Sequence, residues 1–320
     1  MNKTKYTYAV ARIRANETKL LGNADYDMLI NAGGKDAVIR ILNEKGWNIN
    51  PKNVFKSLED EAASVWNLIE ESAPDASLIE ALITENDFYN LKAALKANFS
   101  DLDIDKYYIT PCTFDTSLLT RAVTHNDFKD VPGHLQNTAE TAYNSYAENS
   151  SGQDTEIIID KACMETCLSL AEKSESDLLK KIMLIRCAQA NIKIAKRCIL
   201  CGKTSDFTEN ALCECPGIDN DTLIEVASDS EKLSEYLSKT QFAFLKDAPS
   251  DSFTDFENYC YDYTISLTKE SKWDIDGPDP LISYWIIRSN EIRNARVIIS
   301  AKENGLPVDE IRKRVRGVNV

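Results

Sequence analysis

Apolar side chains recur at three- and four-residue intervals along most of this chain, and no run alternates over a strand's length. The pattern predicts a helix over 6–21, with Tyr8, Ala11, Ala15 and Leu20 on or near one stripe. Another is expected over 54–72, through Phe55, Leu58, Ala62, Val65, Trp66 and Ile69, with Pro74 as its stop. Gly22-Asn23 ends the first helix, and two short helices flank Gly33-Gly34 in between. Farther on, helices are expected at 113–126, 136–146, 157–171, 221–237 and 253–267. The segment 100–116 is aromatic and turn-rich and reads as a crossing. Asp75 or Ser77 can cap the helix that precedes it. Gly277-Pro278-Asp279-Pro280 resets the chain before a helix that closes at Asn304-Gly305, and a short helix with a basic last turn follows Pro307. The fold class is all-α.

Three of these helices carry one degenerate signature: Tyr89–Lys96 (YNLKAALK), Ala190–Arg197 (ANIKIAKR) and Asn290–Lys302 (NEIRNARVIISAK). With Asn90, Asn191 and Glu291 in one column, the next columns read Leu91/Ile192/Ile292, Lys92/Lys193/Arg293 and, two further, Ala94/Ala195/Ala295. The offsets are 101 and 100 residues. One apolar-basic-x-Ala string means nothing, but three at one period argue for a triplicated helical unit. The units are expected at 1–104, 105–206 and 207–320, each closed by its signature helix. Three unrelated amphipathic helices are the alternative.

Composition narrows the functions open to such a chain. With 320 residues, 43% hydrophobic and 28% charged, it can bury a core divided over two or three domains. A formal net charge of −14 leaves no basic domain to neutralise a nucleic-acid backbone. The charge is uneven: residues 288–320 hold eight Lys/Arg against four acids, a net +4, which leaves −18 for residues 1–287. That asymmetry fits a basic contact surface or an internal fit against acidic units. The longest apolar runs, such as 157–159 and 284–287, are too short to span a bilayer. Nine cysteines without small-scaffold spacing, and no signal-peptide pattern, point to a reducing compartment. The expected location is cytosolic or peripheral on a membrane.

Candidate chemistry is sparse. Cys198-x-x-Cys201 followed by Cys213-x-Cys215 could close a tetrahedral zinc site. The C-x-C half is tighter than usual knuckle spacing, and Cys198 ends a signature helix, so buried or loop thiols are the competing reading. Gly33-Gly34-Lys35 lacks the spacing and the preceding strand of a phosphate loop. His125 and His134 are the only histidines, with no partner placed beside them in sequence. No catalytic or cofactor-binding residue is assigned. The basic residues Lys92, Lys193, Arg293 and Arg296 are candidates for a partner interface, against salt bridges inside their own units.

The opening YAVARIRANETKLL and the closing DGPDPLISYW-IIRSNEIRNARVIISAKENGLP resemble the C subunit of prokaryotic V/A-type rotary ATPases, equivalent to the d subunit in eukaryotes. The two ends carry the likeness, and the middle unit departs most. The resemblance implies a funnel of three helical units about a pseudo-threefold axis. It implies a non-catalytic rotor part without a cofactor or substrate of its own, joining central-shaft subunits D and F to the membrane c-ring at its cytoplasmic rim. An all-helical adaptor for unrelated soluble partners is the alternative function.

Overall fold

A computed structural model of the chain describes residues 5–100, 102–103, 107–250 and 252–317. Among them are fifteen α-helices and no strand. In chain order these are α1 (Thr7–Glu17), α2 (Asn23–Asn31), α3 (Lys35–Glu44), α4 (Val54–Ser72) and α5 (Ala81–Phe99). Then come α6 (Ser117–His125), α7 (Gly133–Asn149), α8 (Gly152–Lys173), α9 (Asp177–Leu200) and α10 (Ser205–Ala211). The last five are α11 (Asn220–Val226), α12 (Ser230–Ser238), α13 (Phe253–Thr268), α14 (Asp279–Glu303) and α15 (Val308–Arg314). None is long and apolar enough to cross a membrane among the described residues.

The chain divides into two compact units. One takes in Met1–Ser77, Glu175–Leu178 and Tyr261–Val320; the other takes in Leu78–Ser174 and Leu179–Cys260. The expected boundary at 104/105 lies outside the described residues, and the one at 206/207 falls within α10.

In the first unit α14 is the central element. It packs on α1, α3, α4 and α15. Leu281, Ile282, Ile298 and Ile299 are completely enclosed, and each such side chain contributes about 1.5–3 kcal/mol of transfer free energy. Trp285 meets Trp66 of α4 edge-on, with ring centroids 5.3 Å apart, a geometry that suits the ring quadrupoles. The expected helix over 6–21 ends early, at Glu17, because the Leu21 amide leaves the helical ladder to bond the Glu291 carboxylate on α14 at 2.5 Å.

In the second unit α5 packs on α6, α7 and α8, the elements that follow it. Part of α9 lies in a core of its own. Cys187, Ala188, Ile192 and Ala195 meet Leu212, Leu223, Leu233, Leu237, Phe256 and Cys260, contributed by α11 to α13 and the segment after α10. Local signals set the element ends. Ser151 accepts the Asp154 amide and starts α8 five residues ahead of the expected 157, while Thr204 does the same for α10, which periodicity over so short a stretch does not announce. Asp75 accepts the Ser77 amide and so caps the 3-10 turn Ala76–Ile79 in the first place; α5 begins behind that turn.

Candidate functional site

Each signature helix carries one fully buried asparagine that holds a passing segment of backbone. Asn90 donates from Nδ2 to the Ile109 carbonyl at 3.0 Å and accepts the Ile109 amide at 2.8 Å. Asn191 makes the same pair with Cys213, at 2.7 and 3.2 Å. On α14 the residue with this pair is Asn294, bound to Arg316 at 2.7 and 3.1 Å. The third copy therefore takes a register three residues later than the one read from Glu291. In this register Ala295, Arg296 and Ile298 take the apolar, basic and Ala columns, so the apolar and basic columns fit both registers while the Ala column fits only the first; the backbone bonds set the register. The basic column becomes Lys92/Lys193/Arg296.

The four basic candidates have different surroundings. Lys92 pairs with Asp160 of α8 and Lys193 with Glu257 of α13, both half-buried and inside the second unit. Arg293 is half-buried with its guanidinium carbon 5.7 Å from the Tyr261 ring centre. Arg296 is exposed, its guanidinium 5.6 Å from the Phe55 ring centre.

A buried charged set in the first unit is one that sequence spacing did not single out. Arg288 is 5% exposed, and it bonds Glu291 on its own helix at 2.5 Å and Glu61 of α4. Glu291 faces Arg288, three residues earlier on one helix face, rather than the Arg293 beside which it stands in sequence. Burial works against the Arg288 charge, yet Glu291 and Glu61 outweigh it and raise its pKa. Burial also lifts the Glu291 carboxyl to about 7, against the pull of Arg288 and of the Leu21 amide. The two shifts agree physically: one cation serves two carboxylates, so a single proton on Glu291 neutralises the set. The Arg288 guanidinium carbon also lies 4.5 Å from the Trp47 ring centre.

Beside this set is a cavity of about 250 Å³, lined by Asn16, Lys19, Lys45, Trp47, Glu61 and Arg288 among others. Lys45 is paired with Asp25 at 2.6 Å, whereas Lys19 has no ion pair among the described residues. Two buried N–H groups of the lining residues, Arg288 Nε and Trp47 Nε1, have no hydrogen-bond partner there.

The cysteines do not gather as a zinc site would require. Cys213 turns its sulfur to Cys187 at 3.3 Å and to Asn191, and Cys215 turns to the Leu184 carbonyl. Cys198 is buried and Cys201 exposed, and no group of three or more His, Cys, Asp or Glu is placed to hold a metal among the described residues. All nine cysteines are free thiols. The Cys187 thiol and burial push Cys213 far up, and burial lifts Cys260 to about 12, so these sulfurs stay protonated and unreactive.

His134 does have a partner, 47 residues away in sequence: its Nε2 lies 2.9 Å from Oδ2 of Asp87, a fully buried carboxylate on α5. Asp87 also accepts the Thr113 amide and hydroxyl, so it ties the crossing segment to α5. The adjacent Cys112 thiol donates to the Phe114 carbonyl and burial raises its pKa, so the cluster holds no activated nucleophile.

A family model described as ATP synthase (C/AC39) subunit matches residues 9–314. Among similar proteins, the C subunit of the V-type sodium ATPase of Enterococcus hirae is 22% identical over 317 residues, covering 96% of each chain. The C subunit of the A-type ATP synthase of Methanocaldococcus jannaschii is 21% identical, covering 96% of this chain and 85% of its own. That of Halorubrum lacusprofundi is 24% identical, covering 95% of both.

Proposed function

The chain belongs to the ATP synthase (C/AC39) subunit family, and from that membership we propose that it is the non-catalytic rotor piece of a V/A-type ATPase. In this reading it joins a central shaft, formed by subunits D and F, to the membrane c-ring, and so couples nucleotide turnover to ion transport. The observation that carries the reading is the family match across nearly the whole chain, on an all-helical fold. The names of the relatives, C subunits of a V-type ATPase and of A-type ATP synthases, support it.

A coupling piece must be gripped by two partners. An acidic body with a basic C-terminal segment suits two surfaces of different charge. Arg296, exposed on α14, is the basic signature residue most open to such a contact; Lys92, Lys193 and Arg293 complete the proposed set. The proposal includes three helical units about a pseudo-threefold axis, with the shared asparagine clamp as its support. It also places the chain peripherally on the cytoplasmic face of the membrane.

The test is a membrane preparation lacking this rotor piece. Nucleotide hydrolysis by the soluble head should persist, while ion transport is lost and the head detaches from the membrane. Undiminished transport, or hydrolysis by the isolated chain, overturns the reading.

A further inference from the structure

We propose that Arg296 and Phe55 anchor an acidic protein segment, whose carboxylate completes at α14 a cation–acid pair that the other two signature helices already contain. The proposal deepens the partner contact of the rotor reading and rests on that reading for the partner's identity.

The comparison is internal. Each signature helix lies against an α-helix that precedes another signature helix. Thus α5 packs on α8, Ile192 and Ala195 of α9 share a core with Phe256 and Cys260 of α13, and α14 packs on α4. At the first two contacts the basic column meets a carboxylate, Lys92 with Asp160 and Lys193 with Glu257. At the third it does not. Arg296 has no ion pair among the described residues, and the acids of the first two turns of α4 are committed elsewhere, Glu59 and Asp60 to Lys56 and Glu61 to Arg288. What α4 sets against Arg296 is the ring of Phe55, its centre 5.6 Å from the guanidinium carbon.

That geometry prepares the cation for a partner. A guanidinium over an aromatic face is held by the ring quadrupole, while its N–H fork stays open to a bidentate carboxylate. Phe55 is 44% exposed and Arg296 is exposed as well, so a partner can reach both. Ordering the side chain beforehand lowers the entropy lost on docking. Arginine and aromatic side chains are also the ones that dominate interface energetics. A lipid headgroup surface fits less well, because attraction there grows with the number of cations. Lys56, the other cation on this turn of α4, is already paired.

The test titrates the full-length protein onto ATPase membranes depleted of it and reads assembly. Wild type is expected to saturate. Arg296→Ala and Phe55→Ala, each checked for folding by a thermal melt, should need about tenfold more protein. Lys239→Ala, whose partner Glu235 lies on α12, should assemble as the wild type does. Arg296→Lys, treated with a carbodiimide in the assembled complex, should form an amide between the introduced amine and a partner carboxylate, the reagent leaving as its urea. Peptide mass mapping should place that link on an Asp or Glu of another subunit. Failure of the wild type to assemble overturns the rotor reading and this contact with it. Wild-type assembly matched by Arg296→Ala and Phe55→Ala, a loss shared by Lys239→Ala, or a cross-link confined to this chain overturns the contact alone. So does binding to phosphatidylserine vesicles that requires Arg296 when assembly does not.

Discussion

Asn191 shows what one residue settles. Its side chain occupies the place of a strand partner, taking both the amide and the carbonyl of Cys213, with both residues buried. Asn191→Ala orphans the buried amide, and we expect a loss of about 1–3 kcal/mol in a urea melt. Asn220→Ala should cost less, because it removes a second donor to that carbonyl and a long acceptor contact to Asn191 Nδ2, and leaves the Cys213 amide bonded. Equal losses would show that the clamp has no special weight. Sequence made the polar column visible at Asn90 and Asn191 but not the purpose of the column, since a side chain's bond to backbone about twenty residues on leaves no periodic trace.

Glu291 belongs to the same scale. Its folded carboxyl titrates at about 7, above the 4.5 of an exposed glutamate, so the native state holds the proton more tightly than the unfolded one. The stability this provides is complete below pH 4.5 and is lost as pH rises through 7, by about 3 kcal/mol across the window. Glu291→Gln cannot ionise and should lack that slope, gaining on the wild type as pH rises. Chemical denaturation of both proteins from pH 4 to 8 checks this. The opposite trend would show that Arg288 outweighs burial.

At the scale of elements, α4 coincides with the expected 54–72 because its apolar stripe is long and its stop is a proline. The all-α class follows from the same periodicity everywhere. The misplaced ends are those set by contacts: α1 stops where Glu291 takes the Leu21 amide, and α8 starts where Ser151 caps it. The Arg288 set was illegible for a related reason, since Glu61 stands 227 residues away. The turn after α15 is held in the same long-range manner. Gly317 has φ +64°, its amide donates to Asp262, and a Cβ there would come within 2.8 Å of Asn290 Nδ2. We expect Gly317→Ala to destabilise the protein by about 1–3 kcal/mol in a thermal melt, through backbone strain and that clash. An unchanged midpoint would mean that the segment adds nothing to the unit.

For the whole molecule, the family was readable from the two ends of the sequence, which carry the string resembling the rotary-ATPase C subunit, and the fold class from periodicity along its length. The packing division was not. Two compact units form, and the first draws on both ends of the chain, a closure that a period along the sequence does not record. The proposed partner contact is testable at this scale. Arg296 is exposed, so Arg296→Glu should leave the unfolding free energy within about 0.5 kcal/mol of wild type. It should weaken assembly with the remaining ATPase subunits, most clearly at low salt, where charge pairs are least screened. Assembly at wild-type strength would remove Arg296 from the interface.

Because α4 and α14 share one core, synthesis itself imposes a delay. A ribosome moving at about 5–20 residues per second needs roughly 10–45 s to pass from Glu61 to Arg288. During that interval the apolar faces of α1, α3 and α4 are out of the tunnel without the helix that covers them. The first-made segment is thus the last to close, and a truncated product ending before α14 should aggregate or recruit chaperones, while the middle of the chain, 81–260, has already found its neighbours.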